Sequence, residues 1–363
     1  MYFIYVGHLL NQIPWISKER AKMRIAMLAP LWKTVPPQKY GGTELVASLL
    51  TEELVKQGHE VTLYACGGSK TKASLVEVID RPLFDILGGF KFDAIQFHDL
   101  MEVKLAFDAA KKGGFDVIHS HMGLQMAALG NLSPVPMITT NHSSLPPDFE
   151  PLAKIAKDCN YISISDSQRK MAPYLNYVAT VYHGIDTKIF KFTPKGEDYL
   201  LFLATMSKEK GVDRAIEIVK RTGMKMIMAG NIKKESDFEE IKHLIDGKQI
   251  VYLGEVDAKK KNELMRNAKA YVFPIRWSEA FGLTVVESLA SGTPVIAYPN
   301  GSLPELIDDG KTGFLVNSID QAIEAVKNID SIAREECHRQ AIERFDASIM
   351  ATNYVKVYEK LLK

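Results

Sequence analysis

Two glutamates bracket the run Glu279-Ala-Phe-Gly282-Leu-Thr-Val-Val-Glu287, in which a short apolar stretch follows a glycine. A strand ending near Phe273 and a helix opening near Gly282 would leave Glu279 in the loop and Glu287 about a turn and a half into the helix. A carboxylate buried beside Val286 and Leu289 is costly unless hydrogen-bonded, and hydroxyls of a ribose would satisfy it. The alternative is that Glu287 lies on a solvated helix face. Glu279 can accept bonds from sugar hydroxyls. The amides of Phe281, Gly282 and Leu283, at a helix start, offer donors to an anionic group.

Four further segments carry residue types suited to a polar ligand. In Tyr40-Gly41-Gly42-Thr43-Glu44 the glycines permit close backbone approach at a helix start, although a plain turn explains them equally well. His119-Ser-His121 ends an apolar run, and Asn141-His142-Ser-Ser ends the next one. If the strand ran on through both histidines they would share a face; a turn there leaves one packed and one solvated. Ser207-Lys-Glu-Lys210-Gly follows a third run, where a lysine can reach a diphosphate as a mobile charge or simply sit in a surface turn.

These segments all follow apolar runs, so strands must position them. From Met23 the pattern predicts strands at Arg24–Ala29, Glu60–Ala65, Ala94–Phe97, Val117–His119, Pro136–Thr139, Tyr161–Ser165 and Val178–Tyr182, with helical periodicity between, as in Thr43–Gln57. About 15 residues from His183 lack strong periodicity. The alternation then resumes with strands at Tyr199–Ala204, Lys225–Ala229, Ile250–Leu253, Ala270–Phe273 and Pro294–Ala297. This is the grammar of two doubly wound α/β domains, whose ligands sit past the carboxyl ends of the strands and in the cleft between domains. The expected boundaries are 1–22 for an extension, 23–190 and 191–347 for the domains, and 348–363 for a last amphipathic helix.

Composition narrows the class. With 363 residues, one core is too small to serve the chain. Lysine and arginine number 45 against 44 acidic residues, which gives no field to concentrate nucleic acid. The short basic runs, Lys259-Lys260-Lys261 among them, read as solvated helix ends or faces. Cys66, Cys159 and Cys337 have no paired spacing, which argues against a disulfide scaffold or a zinc site. Met1–Leu10 is apolar yet too short to span a bilayer. Residues 1–22 read either as an upstream stretch or as a segment packing on a surface or membrane.

The run Glu279–Glu287 resembles the E-x7-E motif of glycosyltransferase family 4. Gly301-Ser-Leu-Pro-Glu305 and Asp309-Gly-Lys-Thr-Gly313 resemble its continuation, and the likeness extends back through His183–Asp186, Ser163–Ser167, Asp116–His121 and Tyr40–Glu44. The Pro36–Glu44 segment is similar to a branch that includes antibiotic-tailoring and cell-surface sugar transferases. The resemblance implies a GT-B fold: two facing Rossmann-like domains, the first for the acceptor and the second for the donor, with the C-terminal helix crossing back to the first. It implies a nucleotide-sugar donor, retention of anomeric configuration, and neither cofactor nor metal. Glu287 would then bind ribose, Glu279 the transferred sugar and Lys210 the diphosphate. His121 would bond the donor sugar, with Gly42 near the phosphates or acceptor and Tyr40, Asn141 and His142 on the acceptor side. Thr205 stands where the family usually has an arginine, and Arg276 is the candidate to replace that cation. The acceptor is left open among saccharides, lipid-linked and small molecules, as are the oligomeric state and a cytoplasmic or membrane-peripheral location. Other readings of the same fold are a sugar-nucleotide epimerase, a phosphorylase and a catalytically silent nucleotide-sugar binding protein.

Overall fold

The structure is a computed structural model that describes residues 22–38, 41–88, 92–144 and 150–363. Tyr40 and residues 1–21 of the expected extension lie outside the described residues.

The first domain begins with β1 (Arg24–Leu28), α1 (Gly42–Lys56), β2 (Glu60–Cys66), β3 (Ser74–Ile79), α2 (Leu83–Leu87) and α3 (Phe92–Lys111). It continues through β4 (Val117–Ser120), α4 (Leu124–Ala127), β5 (Met137–Thr140), α5 (Glu150–Ile155), β6 (Asn160–Ser163), α6 (Asp166–Met171) and β7 (Tyr177–Thr180). Its seven parallel strands lie in the order β3-β2-β1-β4-β5-β6-β7. Successive side chains of β1 go to opposite faces, as the strand period of two requires. Ile25 and Met27 join the core that includes Val46, Leu50 and Leu54 of α1, while Ala26 and Leu28 join Val103, Ala106 and Ala110 of α3.

The second domain starts with β8 (Tyr199–Leu203), α7 (Val212–Thr222), β9 (Lys225–Ala229), α8 (Glu235–Lys242), β10 (Ile250–Tyr252) and α9 (Ala258–Asn267). Then come β11 (Ala270–Phe273), α10 (Leu283–Ala290), β12 (Val295–Ala297), α11 (Leu303–Leu306), β13 (Gly313–Leu315), α12 (Ile319–Lys327), α13 (Arg334–Phe345) and α14 (Ala347–Leu361). Its six parallel strands are ordered β10-β9-β8-β11-β12-β13. In both sheets the order reverses beside the first strand, between β1 and β4 and between β8 and β11. The crevice at such a reversal is where α/β sheets bind ligands.

The chain crosses between the domains twice, and the crossings are tied together. Ile185 donates its N–H to the Phe345 carbonyl at 2.8 Å, and Ala347 donates to the Ile185 carbonyl at 2.9 Å. A side chain at Gly184 would meet the Cα of Ala347 at 2.5 Å, so only glycine allows the two segments this close. Asp346 caps α14 by accepting from the Ser348 N–H at 3.0 Å. That helix then packs on α1 and buries Met350, Tyr354 and Tyr358 in the first domain, which is the return expected of a GT-B protein.

Two expectations are corrected. The predicted strand Ala94–Phe97 is the first turns of α3, because the apolar positions continue helically through Val103, Ala106 and Ala110. Lys261, read within a solvated basic run, is instead paired with a buried carboxylate. Two short strands, β3 and β13, were not anticipated. Among the described residues no helix is long and apolar enough to cross a membrane.

Candidate active site

Most of the segments singled out above leave the carboxyl ends of the strands at the two reversals, with Asn141 and His142 one strand further on, after β5. Gly42 follows β1, His121 follows β4, Thr205 and Lys210 follow β8, and Arg276 through Leu283 follow β11. Gly42 and Leu283 come from opposite domains and face each other: a side chain on Gly42 would reach the Leu283 Cδ1 at 3.6 Å. Leu283 packs against the cores of both domains.

On the second domain, Glu287 is buried, with its side chain 4% exposed, and its Oε1 accepts from the Lys261 Nζ at 2.6 Å. The solvated-face alternative therefore fails. Lys210 Nζ donates to the Glu279 Oε2 at 2.6 Å, so the loops after β8 and β11 are joined by a second ion pair. Gly282 precedes α10 with φ 96°, a left-handed conformation that glycine adopts without strain. Phe281 is buried and meets the His183 ring edge-on at 5.0 Å.

Arg276 and Thr205 are both engaged. The Arg276 guanidinium forks onto Asp213, with both N–O distances 2.7 Å, and also donates to the Lys208 carbonyl at 2.6 Å. Thr205 Oγ1 donates to the Asn231 Oδ1 at 2.8 Å.

On the first domain, His119 and His121 are both buried, so the packed-and-solvated expectation fails, and their ring centroids lie 4.2 Å apart, as residues sharing a face would. His119 is held on both ring nitrogens, by the Tyr358 hydroxyl at 2.7 Å and Thr140 Oγ1 at 2.8 Å, and Thr140 meets the Tyr354 hydroxyl at 2.9 Å. The returning helix thus fixes this histidine. His121 Nδ1 lies 2.7 Å from His142 Nε2, and His142 Nδ1 lies 3.2 Å from His183 Nε2. Burial pushes all four histidines well toward the neutral form. Asn141 closes its own turn, donating to the Ser143 carbonyl at 2.7 Å.

The domains also touch directly. Glu305 accepts from the Asp166 and Ser167 N–H groups at 2.8 and 2.7 Å and from the Tyr182 hydroxyl at 2.9 Å. Ser165 Oγ donates to the Ala280 carbonyl at 2.7 Å and Ser144 Oγ to the Ser278 carbonyl at 3.0 Å. A cavity of about 300 Å³ on this seam, lined by Asp166, Thr180, Tyr182, Arg344 and Asn353, contains none of the candidate residues.

Lys261, His183 and the contacts of Glu305 were not read as site features from the sequence. Lys261 lies 26 residues from its partner and His183 lies 41 from His142, so no local spacing announces either pair.

Two facing Rossmann-like sheets, with candidate residues at both strand reversals and a C-terminal helix returning to the first domain, define the GT-B class. Residues 185–346 match the family of glycosyl transferases group 1, and residues 40–189 match glycosyltransferase family 4. The chain belongs to these glycosyltransferases, one match following the other along it. A phosphatidyl-myo-inositol mannosyltransferase of Mycolicibacterium smegmatis is 26% identical over 379 residues, covering 93% of this chain and 94% of its own. AviGT4, a glycosyltransferase involved in avilamycin A biosynthesis, superposes with a TM-score of 0.72 at 24% identity, over 94% of this chain and 98% of its own. The Anabaena protein HepE, solved in complex with UDP-glucose, gives a TM-score of 0.69 at 16% identity, over 93% of this chain and 99% of its own.

Proposed function

We propose that this chain transfers a glycosyl group from a nucleoside-diphosphate sugar to an acceptor hydroxyl, retaining the anomeric configuration and using no metal. The observation that carries the reading is the paired arrangement at the second-domain reversal: Lys210 with Glu279 and Lys261 with Glu287, on either side of the start of α10. Each pair joins a cation to a carboxylate where a nucleotide sugar would bring phosphate and hydroxyl groups. In this reading Glu287 takes the ribose hydroxyls and Glu279 those of the transferred sugar. Lys210, released from Glu279, moves to the diphosphate beside the amides of Phe281, Gly282 and Leu283. A relative solved with UDP-glucose supports a nucleotide-sugar donor for this chain as well. We assign the donor side to residues 191–347 and the acceptor side, with Gly42, Asn141 and His142, to residues 23–190.

Developing charge on the leaving diphosphate needs fixed donors and a cation. Lys210 and the helix-start amides supply these from the chain itself, which is the ground for a metal-independent reaction. Retention by double displacement would need an ionised carboxylate in the first domain. The buried carboxyls there, Glu44, Asp99 and Glu102, are pushed toward the protonated form by burial and are poor nucleophiles. A same-face route follows: the C–O bond to the diphosphate breaks, the acceptor oxygen bonds the anomeric carbon on that face, and its proton passes to the departing phosphate oxygen. In this reading His121 holds the sugar through Nε2, a buried nitrogen with no hydrogen-bond partner among the described residues.

The test is calorimetric titration of nucleoside diphosphates in EDTA. Glu287→Ala removes a charged acceptor of two hydroxyls, a loss of roughly 1.5–3 kcal/mol per bond, and affinity should fall at least tenfold while the fold persists. Unchanged affinity removes Glu287 from the donor site.

A further inference from the structure

Neutral imidazole has one N–H and one bare nitrogen, so a hydrogen bond between two such rings fixes which nitrogen of each carries the proton. His121, His142 and His183 are joined ring to ring by two such contacts, 2.7 Å and 3.2 Å, and the rings of His142 and His183 stack with centroids 4.9 Å apart. We propose that these three residues form a tautomer-locked chain, in which His142 and His183 are positioning residues that make His121 Nε2 a proton donor at the transfer centre.

The lock follows from counting protons. Only two arrangements satisfy both contacts. Either every ring carries its proton on Nε2, so that His183 donates to His142 and His142 donates to His121, or every ring carries it on Nδ1 and both bonds run the other way. No ring can change alone without setting two N–H groups, or two lone pairs, against each other. Protonation of a ring offers no escape, because burial disfavours the imidazolium at each position.

The ends of the chain choose between the two arrangements. His121 Nε2 and His183 Nδ1 are both buried and have no hydrogen-bond partner among the described residues. A sugar hydroxyl can donate or accept, so a bound donor would satisfy His121 Nε2 in either state. The His183 ring meets the Phe281 ring edge-on with centroids 5.0 Å apart, and its Nδ1 has no hydrogen-bond partner among the described residues. Orphaned N–H groups are rarer in proteins than under-satisfied acceptors. In the free chain each arrangement strands one N–H and one lone pair; with a donor bound at His121, the Nε2-protonated arrangement leaves only a lone pair at His183 Nδ1 and is favoured. It presents an N–H from His121 to the substrate, which suits a residue that holds a sugar oxygen and does not remove the acceptor proton. The far ring rests on Phe281, inside the Glu279–Glu287 run, so the loop that would hold the donor also supports the end of the chain that sets His121.

This inference rests on the transfer reading for what His121 meets, but its first test does not. Long-range proton–nitrogen correlation on the ¹⁵N-histidine-labelled full chain reports which nitrogen of each ring is protonated. We expect the three rings of the free chain to share one tautomer, and all three to lie on Nε2 once a nucleotide sugar is bound; rings of mixed tautomer, or any ring charged at neutral pH, overturn the lock. In His142→Phe, which keeps a ring but no hydrogen bonds, His121 should show a mixture of tautomers. In His142→Gln the amide can accept from His183 and donate to His121, and the Nε2 form should return. A His121 signal unchanged by His142→Phe refutes the positioning role. In steady-state transfer we expect kcat to fall roughly tenfold in His142→Phe with the donor KM within about twofold, and to recover in His142→Gln. If the spectra behave as expected but no nucleotide sugar is turned over, the chain stands and the transferase reading fails.

Discussion

Removing Lys261 should expose how much the buried Glu287 depends on its ion pair inside the second domain. Lys261→Met deletes the cation 2.6 Å from a carboxylate that is only 4% exposed, while keeping the apolar stem that packs near α10. Removing one partner of a buried pair costs about 3–5 kcal/mol; the lysine end is 26% exposed, so water offsets part of the loss and about 3 kcal/mol is expected. Glu287→Gln should cost less, about 1 kcal/mol, because the freed ammonium can turn toward water and keeps its place 5.9 Å from the Phe190 ring. The double variant has no uncompensated charge and should lose only about 1.5 kcal/mol, giving a coupling of about 2.5 kcal/mol. Scanning calorimetry reads this directly: for a domain of this size about 3 kcal/mol lowers Tm by roughly 6–12 °C. A Lys261→Met protein melting within about 2 °C of the parent, or a double variant whose loss is the sum of the singles, refutes the argument.

Two further outcomes follow from the same geometry. Arg276 is forked onto Asp213 with both contacts at 2.7 Å, so Arg276→Ala should lower kcat/KM by no more than about threefold, and adding Thr205→Arg should act independently; steady-state rates of the four proteins showing strong non-additivity would restore Arg276 as the compensating cation. Asp99 is pushed up to about 7 by burial, so between the unfolded carboxyl range near 4 and pH 7 the folded state holds a proton that the unfolded state has released, and stability contributed by Asp99 declines as pH rises. Asp99→Asn removes that decline, and its stability relative to the parent should grow by about 1.3 kcal/mol per pH unit between pH 5 and 6, flattening near pH 7, in denaturant titrations; a difference independent of pH contradicts the assignment.

The central strands were readable because parallel strands buried on both faces appear as unbroken apolar runs. Lys225–Ala229 and Ala270–Phe273 have the limits the pattern predicts. The edge strand β3 was not readable, since Ser74–Ile79 is exposed or half-buried throughout and mixes Glu77 with its aliphatic residues. The segment Ala94–Phe97 misled because four apolar-rich residues fit a strand or a helix equally well, and only the spacing beyond them decides. At the site, the segments that follow strands could be picked out because the fold places strand ends at the cleft. Their partners could not. Lys261 reaches Glu287 from a neighbouring helix, His142 and His183 meet because β5 and β7 end at the same edge of the sheet, and Asp213 claims Arg276 across 63 residues. Such pairs are created by packing of distant segments and leave no spacing in the chain.

The most direct test of the transferase reading is nucleoside diphosphate release, followed by phosphorus NMR, from a panel of UDP-, GDP- and ADP-sugars in EDTA with a mixture of saccharide and inositol-lipid acceptors. The account predicts acceptor-dependent release from at least one donor, with the new glycosidic bond in the donor's anomeric configuration, and loss of that release in Glu287→Ala. Saturable donor binding with no release from any sugar, or a product of inverted configuration, would contradict it.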